Sequence, residues 1–240
     1  MTIRIGCAGW SIPKAHTHRF PCQGSHLARY SRIFSAVEVN SSFYRAHRRD
    51  TYERWASSVP SGFLFSVKIP RQITHLGRLK ELPSLGPFLE QVGGLGDRLG
   101  PLLVQLPPSL GFDPLVVGRF LEILRQSFGG PVAMEPRHQS WLSPTAERLM
   151  CDFQVARVAA DPPLGSAGTH PGAWDGLSYY RLHGSPQAYR SSYSEQYLDD
   201  LAARLLQSAS RPGGLWCIFD NTAQGAAMTN ALYLLNAVAR

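Results

Sequence analysis

Eight short apolar runs alternate along this chain with segments of helical periodicity, and this alternation constrains the fold more than any other feature. Strands that alternate with helices are typical of a parallel sheet, and a count of eight favours a closed TIM-type (β/α)8 barrel over a doubly wound open sheet. The predicted strands are Thr2–Trp10, Ala36–Tyr44, Phe63–Pro70, Leu102–Leu106, Pro131–Arg137, Val155–Asp161, Leu177–His183 and Gly214–Asn221.

Seven segments between or after these runs carry apolar residues at helical spacing. They are His26–Phe34, Arg49–Val59, Leu85–Leu99, Pro114–Ser127, Ser143–Asp152, Ser194–Ala209 and Ala226–Val238. Pro162–Gly176 is rich in proline and glycine without a helical period, so we expect a loop to replace the helix after strand six. Because no shift in composition marks a boundary, residues 1–240 are predicted to form one domain.

Composition excludes several classes of protein. Hydrophobic residues at 44% and charged residues at 17% indicate an ordinary globular chain, and no apolar run reaches the roughly 18 residues of a membrane helix. The first residues lack the apolar core of a secretion signal, so we expect a cytoplasmic protein without a membrane partner. Four cysteines without a CxxC pair indicate free thiols. The net charge of +7 comes almost wholly from arginine, which keeps nucleic acid among the candidate partners.

Ionisable residues follow the apolar runs, most clearly in Pro131–Trp141, with the sequence PVAMEPRHQSW. Glu135 and Arg137 are two apart on a strand and therefore share a face. The same pattern recurs along the chain, and the carboxyl ends of barrel strands meet at one mouth, where active sites lie. The residues expected there are Trp10, Glu38, Asn40, Lys68, Gln105, Glu135, Arg137, His138, Asp161, Arg181, His183 and Asn221, with His75, Tyr189 and Tyr193 as loop contacts to substrate.

Two chemistries compete for such a mouth. The acids Glu38, Glu135 and Asp161, with a histidine, are of the type that holds a divalent metal in sugar isomerases and phosphoesterases, although no diagnostic ligand spacing occurs. Alternatively, Lys68 and arginine side chains bind an anion while a carboxylate and His183 move a proton. We favour the second interpretation and predict no cofactor, with a divalent metal as the alternative.

Several segments of the chain resemble the YecE-like proteins, a bacterial and archaeal family classed as a domain of unknown function. The matching segments follow the family's order over nearly the whole chain. They are IGCAGWS at Ile5–Ser11, FSAVEVNSSFYR at Phe34–Arg45, VKIPRQITH at Val67–His75, VQLPPSL at Val104–Leu110, MEPRHQSW at Met134–Trp141, AAD at Ala159–Asp161, YYRLHGS at Tyr179–Ser185 with Tyr189 and Tyr193, and FDNTAQGAAMTNA at Phe219–Ala231.

The resemblance implies a TIM barrel and supplies no reaction, since a likeness to sugar isomerases is an analogy of fold. Three positions depart from the family pattern: His16, Pro21-Cys22 and Asp220-Asn221-Thr222. Our hypothesis is an enzyme for a small anionic or sugar-like substrate, using proton-transfer or hydrolytic chemistry; a non-catalytic module for nucleic acid or a protein partner is the third reading. The residues assigned to catalysis are Glu135, His183, Lys68, Asp161 and Glu38, and those assigned to substrate binding are Trp10, Asn40, His75, Gln105, Arg137, His138, Arg181, Tyr189, Tyr193 and Asn221.

Overall fold

Strands and helices alternate in the computed structural model, which describes residues 3–208 and 214–239. The strands in these ranges are β1 (Ile3–Cys7), β2 (Ala36–Val39), β3 (Leu64–Lys68), β4 (Leu99–Gln105), β5 (Val132–Glu135), β6 (Val155–Arg157), β7 (Ala159–Asp161), β8 (Gly172–Ala173), β9 (Ser178–Leu182) and β10 (Leu215–Phe219). The α-helices are α1 (His26–Tyr30), α2 (Arg49–Ser57), α3 (Leu85–Val92), α4 (Pro114–Ser127), α5 (Pro144–Asp152), α6 (Glu195–Ser208) and α7 (Ala226–Ala237). Thr2 and Ala209, at the ends of two predicted elements, lie outside the described residues.

The strands close into a barrel. One arc runs β2-β3-β4-β5-β6 and the other β7-β9-β10-β1, all in parallel pairing. At one seam, Ala8 and Glu38 form a bridge between the ends of β1 and β2. At the other, β6 and β7 are two halves of the predicted sixth strand, and the N–H of Val158 between them donates to the Met134 carbonyl at 2.8 Å. The predicted TIM-type barrel is therefore confirmed, and the open-sheet alternative is wrong.

The helix that normally follows a sixth barrel strand is replaced by a loop, as predicted. Between β7 and β9, the described chain forms one 3-10 turn at Ser166–Thr169 and then the two-residue strand β8. This short strand runs antiparallel to β6 and pairs Ala173 with Ala156. The Ala173 N–H also donates to Glu147 on α5 at 2.6 Å, which ties the loop to the outer helices.

Two predicted elements extend further than the structure by five residues or more. The second strand ends at Val39, and a 3-10 turn at Ser41–Phe43 follows, where the sequence predicted strand as far as Tyr44. The predicted helix Leu85–Leu99 stops at Val92 because the glycines that follow form a 3-10 turn, in which Gly96 has a φ of +50°. Within the described residues, no helix is long and apolar enough to cross a membrane.

Alternation along each strand divides the side chains between two environments. On β2, Val37 and Val39 pack outward beneath the helices, whereas Ala36 and Glu38 point into the barrel. Apolar residues fill the lower interior, among them Ala36, Leu103, Ala133, Ala156, Tyr179 and Ile218. Above this layer, the inward positions near the carboxyl ends of the strands are charged. This mouth is where the functional candidates collect.

Candidate functional site

Arg181 lies at the centre of the mouth and is bound to three carboxylates. It points inward from β9, in register with Ala160 and Ile218 on the neighbouring strands, and is 1% exposed. Its Nε lies 3.0 Å from Glu38 Oε2, and its Nη1 lies 3.0 Å from Glu135 Oε2. Its Nη2 lies 2.9 Å from Asp220 Oδ2. Burial alone lowers the pKa of a guanidinium, but the three carboxylates raise the pKa of Arg181 well above its usual value.

His183 lies one step further along the same face of the chain, between two of these acids. Its Nε2 is 2.9 Å from Glu135 Oε1, and its Nδ1 is 3.0 Å from Asp220 Oδ2. Arg137 contacts both Glu135 and His183 Nε2 through Nη2. The Nδ1 contact with Asp220 is a close approach without hydrogen-bond geometry, so among the described residues this nitrogen has no hydrogen-bond partner. His183 is therefore held mainly through Nε2, which faces both Glu135 and Arg137.

Two acids of this network, Glu135 and Asp220, are held ionised. Burial raises the pKa of Glu135, but the charges of Arg181, His183 and Arg137 more than offset it, so the pKa lies well below the usual range. Burial likewise raises the pKa of Asp220, and Arg181 and His183 lower it to a value below the ordinary one. A carboxylate with so low a pKa is a weak base. Glu135 is thus suited to holding His183 and Arg181 in position, not to accepting a proton itself.

Polar neighbours complete the network from below and from the side. The Tyr179 hydroxyl lies 2.9 Å from Glu38 Oε2 and 2.9 Å from Ser66 Oγ, so it closes the network above the apolar interior. The Asn40 side-chain amide donates to Asp220 Oδ1 at 3.1 Å. Within the described residues, the buried atoms Asn40 Oδ1 and Arg137 Nε have no hydrogen-bond partner. Buried polar atoms are normally satisfied, so these two are candidates to meet a ligand or water.

Lys68 differs from every other cation of the mouth. It ends β3, is 7% exposed, and has no hydrogen-bond or ion-pair partner for its Nζ among the described residues. Its ammonium lies 4.0 Å from the centroid of the Phe43 ring. Burial and the nearby charge of Arg181 lower its pKa from the ordinary 10.5 to about 8, although the acids of the network counteract them. Lys68 is consequently a buried amine that is close to losing its proton.

His75 and Tyr189 flank this site. The His75 ring packs edge to face on Phe43 with centroids 4.9 Å apart, and burial and the charge of Lys68 lower the pKa of its imidazole. Tyr189 is 49% exposed and packs edge-on over His183 at 5.4 Å. His183, which is 1% exposed, therefore lies beneath a tyrosine that is open to solvent.

The structure brings together eight of the predicted residues and places two more beside them. The eight are Glu38, Asn40, Lys68, Glu135, Arg137, Arg181, His183 and Tyr189. His75 lies against Phe43, and Gln105 is in register with Glu135 on the next strand, where its amide donates to the Leu106 carbonyl at 3.1 Å.

Five predicted residues have other positions. Asp161 points outward from β7 and accepts a hydrogen bond from Tyr197 on α6 at 2.5 Å, so the catalytic role assigned to it is not supported. Tyr193 is buried and stacks on Tyr197 at 4.6 Å. Trp10 packs against Trp55 of α2, His138 caps the turn Gln139–Leu142, and Asn221 binds Ser191 and Asn230 beside α7.

One further assignment needs correction. Arg181 was expected to bind substrate, but its Nε and both Nη atoms face carboxylates and its side chain is buried, which leaves it no donor for a ligand. Asp220 and Phe43 are the residues that sequence reasoning missed. In the structure Asp220 shares the inward face of its strand with Trp216 and Ile218, whereas Asn221 does not; the sequence does not mark this face, because β10 is buried on both sides.

The acids present do not form a metal site. Among residues 3–208 and 214–239, no grouping of three or more histidine, cysteine, aspartate or glutamate side chains could hold a metal ion. The donor set explains why: the guanidinium of Arg181 lies between Glu38, Glu135 and Asp220, at the place where a cation would bind. A metal there would have to displace a buried positive charge. We therefore derive no step through a metal.

A cavity of about 320 Å³ lies beside the mouth. Its walls come from the turn after β2, from α2 and from α3, and include Ser42, Tyr52, Pro70 and Phe88. The Ser42 hydroxyl donates to the Lys68 carbonyl at 2.7 Å, so this cavity adjoins the end of β3 without containing the charged network.

Fold and site together define a β/α-barrel protein with a buried charge network at its mouth. The chain belongs to the family described as "Protein of unknown function DUF72", whose model matches residues 4–240. The resemblance inferred from the sequence motifs is thereby confirmed.

Relatives and a solved structure agree with this assignment. The chain is 26% identical to UPF0759 protein YunF of Bacillus subtilis, over 97% of this chain and 93% of that protein. It is 29% identical to UPF0759 protein YecE of Escherichia coli, over 70% of this chain and 62% of that protein. A crystal structure of a DUF72 family protein from Enterococcus faecalis matches all of this chain and 96% of its own, with a TM-score of 0.83 and 23% identity. The structural match supports the fold.

Proposed function

We propose that this chain is an enzyme that binds a small anionic or sugar-like molecule at the barrel mouth and moves a proton to or from it. The observation that carries the proposal is Lys68, a nearly buried amine whose Nζ has no polar partner among the described residues. The side chain is largely removed from water, which disfavours its charge, while the Nζ is not among the fully buried unpartnered atoms of the described residues and so stays within reach of the mouth. An anion is the natural partner for a cation placed in this way.

Ligand binding falls to the groups that retain unused donors or acceptors. Lys68 has its ammonium protons; among the described residues, the buried Nε of Arg137 and the Oδ1 of Asn40 have no hydrogen-bond partner. The two cations suit a carboxylate or phosphate, and the amide oxygen suits a hydroxyl of a sugar-like ligand. Arg181 contributes through its charge and through the ion pairs that hold the three carboxylates in position, without contacting the ligand.

Proton transfer falls to Lys68 and His183. The pKa of Lys68 is about 8, so its ammonium and amine forms both occur near neutral pH, as general acid-base catalysis requires. The ring of His183 lies within 3.0 Å of carboxylate oxygens of Glu135 and Asp220. Since His183 is covered by Tyr189, we assign it the role of a second proton carrier.

Calorimetric titration with inorganic phosphate and a set of small carboxylates tests the proposal. For an anion that binds the parent chain, we expect Lys68→Met to weaken the affinity about tenfold or more, because a charge-assisted hydrogen bond contributes roughly 1.5–3 kcal/mol. Lys80→Met is the matched control, since Lys80 is exposed and should leave the affinity unchanged. If Lys68→Met binds these anions as tightly as the parent chain, the proposed site is wrong.

A pH profile tests the proton-transfer roles once a turned-over substrate is found. His183→Gln should lower kcat and alter the profile, because the amide cannot carry a proton. Glu135→Gln should also lower turnover, because it removes the ion pairs with Arg181 and Arg137. Unchanged turnover in both variants would contradict the roles given to these two residues.

A further inference from the structure

We infer that Lys68 is a nucleophile that forms an imine with a small carbonyl compound carrying an anionic group, such as a 2-oxo acid or an aldehyde phosphate. The inference rests on the proposed function and names its substrate class. Three features of the site point to it: an amine without a polar partner, an apolar ring beneath that amine, and neighbouring groups that can move protons.

The surroundings of Lys68 favour the neutral, nucleophilic amine. Its Nζ lies 4.0 Å from the centroid of the Phe43 ring, a contact that partly stabilises the ammonium, and among the described residues it makes no competing hydrogen bond or ion pair. The nearest opposite charges are already taken, since Glu38, Glu135 and Asp220 all bind Arg181. A lysine placed against an apolar surface and near another cation is the usual form of an activated amine nucleophile.

The degree of activation is substantial. With a pKa of about 8, about one Lys68 side chain in ten is an amine at pH 7, against roughly one in three thousand for an ordinary lysine. Lys14 and Lys80 are the other two lysines of the chain, and both are exposed. The protein therefore carries its own controls for amine reactivity.

The reaction balances without an oxidant, reductant or metal. The Nζ lone pair attacks the carbonyl carbon, and the oxygen takes a proton to give a carbinolamine. The nitrogen releases a proton, the hydroxyl takes one and leaves as water, and a carbon–nitrogen double bond forms. Protonation of that nitrogen gives an iminium, which withdraws electrons from the adjacent carbon and eases loss of a proton there. His75, whose imidazole has its pKa lowered by burial and by the charge of Lys68, is the neighbouring base.

The ligand's anionic group explains the second cation. Arg137 is partly exposed, contacts Glu135 and His183, and has a buried Nε free among the described residues. A carboxylate or phosphate held by Arg137 would bring an attached carbonyl into the mouth, and orientation of this kind is a large part of the advantage of an enzyme over solution.

Reductive trapping tests the inference on the full chain. The protein is incubated at pH 7 with pyruvate, or with pyridoxal 5′-phosphate as an aldehyde phosphate, in the presence of sodium cyanoborohydride, which delivers hydride to an iminium and leaves a stable secondary amine. Intact mass and peptide mapping then locate the adduct. We expect Lys68 to be modified about tenfold or more faster than Lys14 and Lys80.

Variants make the result specific. Lys68→Met should abolish the fast adduct, Lys80→Met should leave it unchanged, and inorganic phosphate should slow it by competing for the cations. Melting curves recorded alongside show that the variants are folded. Equal labelling of the three lysines, or no adduct at Lys68 with either probe, would overturn the inference.

This failure can be told apart from failure of the proposed function. If phosphate binding depends on Lys68 in the calorimetric titration but no adduct forms there, the imine is wrong and the anion site stands. If phosphate binding does not depend on Lys68 either, both fail.

Discussion

At the scale of single residues, Arg181 and Lys68 are two opposite ways to keep a cation inside a barrel. Arg181 is 1% exposed, and a carboxylate faces each of its three guanidinium nitrogens. Neighbouring negative charges therefore balance its positive charge. Lys68 is 7% exposed, and its Nζ lies 4.0 Å from the centroid of an aromatic ring without a hydrogen bond or ion pair among the described residues. The first residue organises the site and the second is available to a ligand.

Removing Arg181 should be severely destabilising. Arg181→Met leaves three buried carboxylates without their shared partner, and breaking a buried ion pair in this way costs roughly 3–5 kcal/mol. Urea denaturation measures the change in the free energy of unfolding. Arg119→Met, at an exposed position on α4, is the control and should change it by less than about 0.5 kcal/mol. A loss below about 1 kcal/mol for Arg181→Met would show that the network contributes little to folding.

Removing Lys68 should instead stabilise the protein at neutral pH. Lowering its pKa from 10.5 to about 8 corresponds to a cost of roughly 3 kcal/mol for the charged form, and loss of the contact with Phe43 offsets about 0.5–2 kcal/mol of the gain. We therefore expect Lys68→Met to raise the free energy of unfolding by roughly 1–2 kcal/mol at pH 7.

The pH dependence of that difference has a definite sign. Between pH 8 and 10.5 the unfolded lysine keeps its proton while folded Lys68 has lost it, so the stability of the parent chain rises with pH through this window. Below pH 8 the lysine keeps its proton in both the folded and the unfolded chain, so the cost of burying the charged ammonium does not change with pH. The advantage of Lys68→Met should thus shrink as pH rises from 8 to 10.5, and urea denaturation at several pH values measures it. A variant less stable than the parent at pH 7 would contradict the argument.

At the scale of elements, the seam between β1 and β2 is a closely fitted part of the barrel wall. The Tyr30 hydroxyl from α1 accepts from the Cys7 N–H at 2.8 Å and donates to the Ala36 carbonyl at 3.1 Å, bridging the two strands. A Cβ at Gly6 would overlap the Ala36 carbonyl and lie 3.1 Å from that hydroxyl. Gly6 therefore permits the close approach on which closure depends.

Two glycine substitutions should act in opposite directions. Gly6→Ala should lower the free energy of unfolding by about 1–3 kcal/mol, because a side chain is forced against backbone. Gly118→Ala should raise it by about 0.5–1 kcal/mol, since Gly118 lies within α4 and an added Cβ meets no atom of the described structure within 4 Å. Urea denaturation measures both. Equal effects of the two substitutions would contradict the close fit of the seam.

At the scale of the whole molecule, the surplus charge lies outside the network. The chain has 24 Lys and Arg residues against 17 Asp and Glu, and exposed arginines such as Arg45, Arg48 and Arg71 follow the carboxyl ends of β2 and β3. Positive charge near a mouth attracts small anions and nucleic acid alike. The distinction between an enzyme pocket and a binding surface therefore depends on which residues control binding.

Binding of a generic single-stranded oligonucleotide distinguishes an enzyme pocket for small anions from a nucleic-acid binding surface. We expect weak binding that falls steeply between about 50 and 200 mM salt, as for contacts made by exposed arginines. Lys68→Met should leave this affinity unchanged, although it weakens phosphate binding. Fluorescence anisotropy measures the first and calorimetry the second. Tight oligonucleotide binding that requires Lys68 would favour the nucleic-acid module and count against the proposed enzyme.

The sequence by itself determined the barrel and most of its mouth. Apolar runs that alternate with helical patterns leave few architectures open, and parallel strands all end at the same edge, so residues such as Glu38, Glu135 and His183 had to meet there. The sequence also predicted that a loop replaces the sixth helix, because Pro162–Gly176 is rich in proline and glycine and has no helical period.

Only the tertiary structure decided which side chains point inward and which charges pair. Strands of a parallel barrel are buried on both faces, so their apolar alternation is weak and does not reveal the inner face. Hence Asp161 was expected in the mouth but faces α6, and Asn221 was chosen over Asp220. Pairing depends on distances of a few ångströms between five strands, which is why Arg181 proved to be fully bound while Lys68 remained free of a polar partner among the described residues.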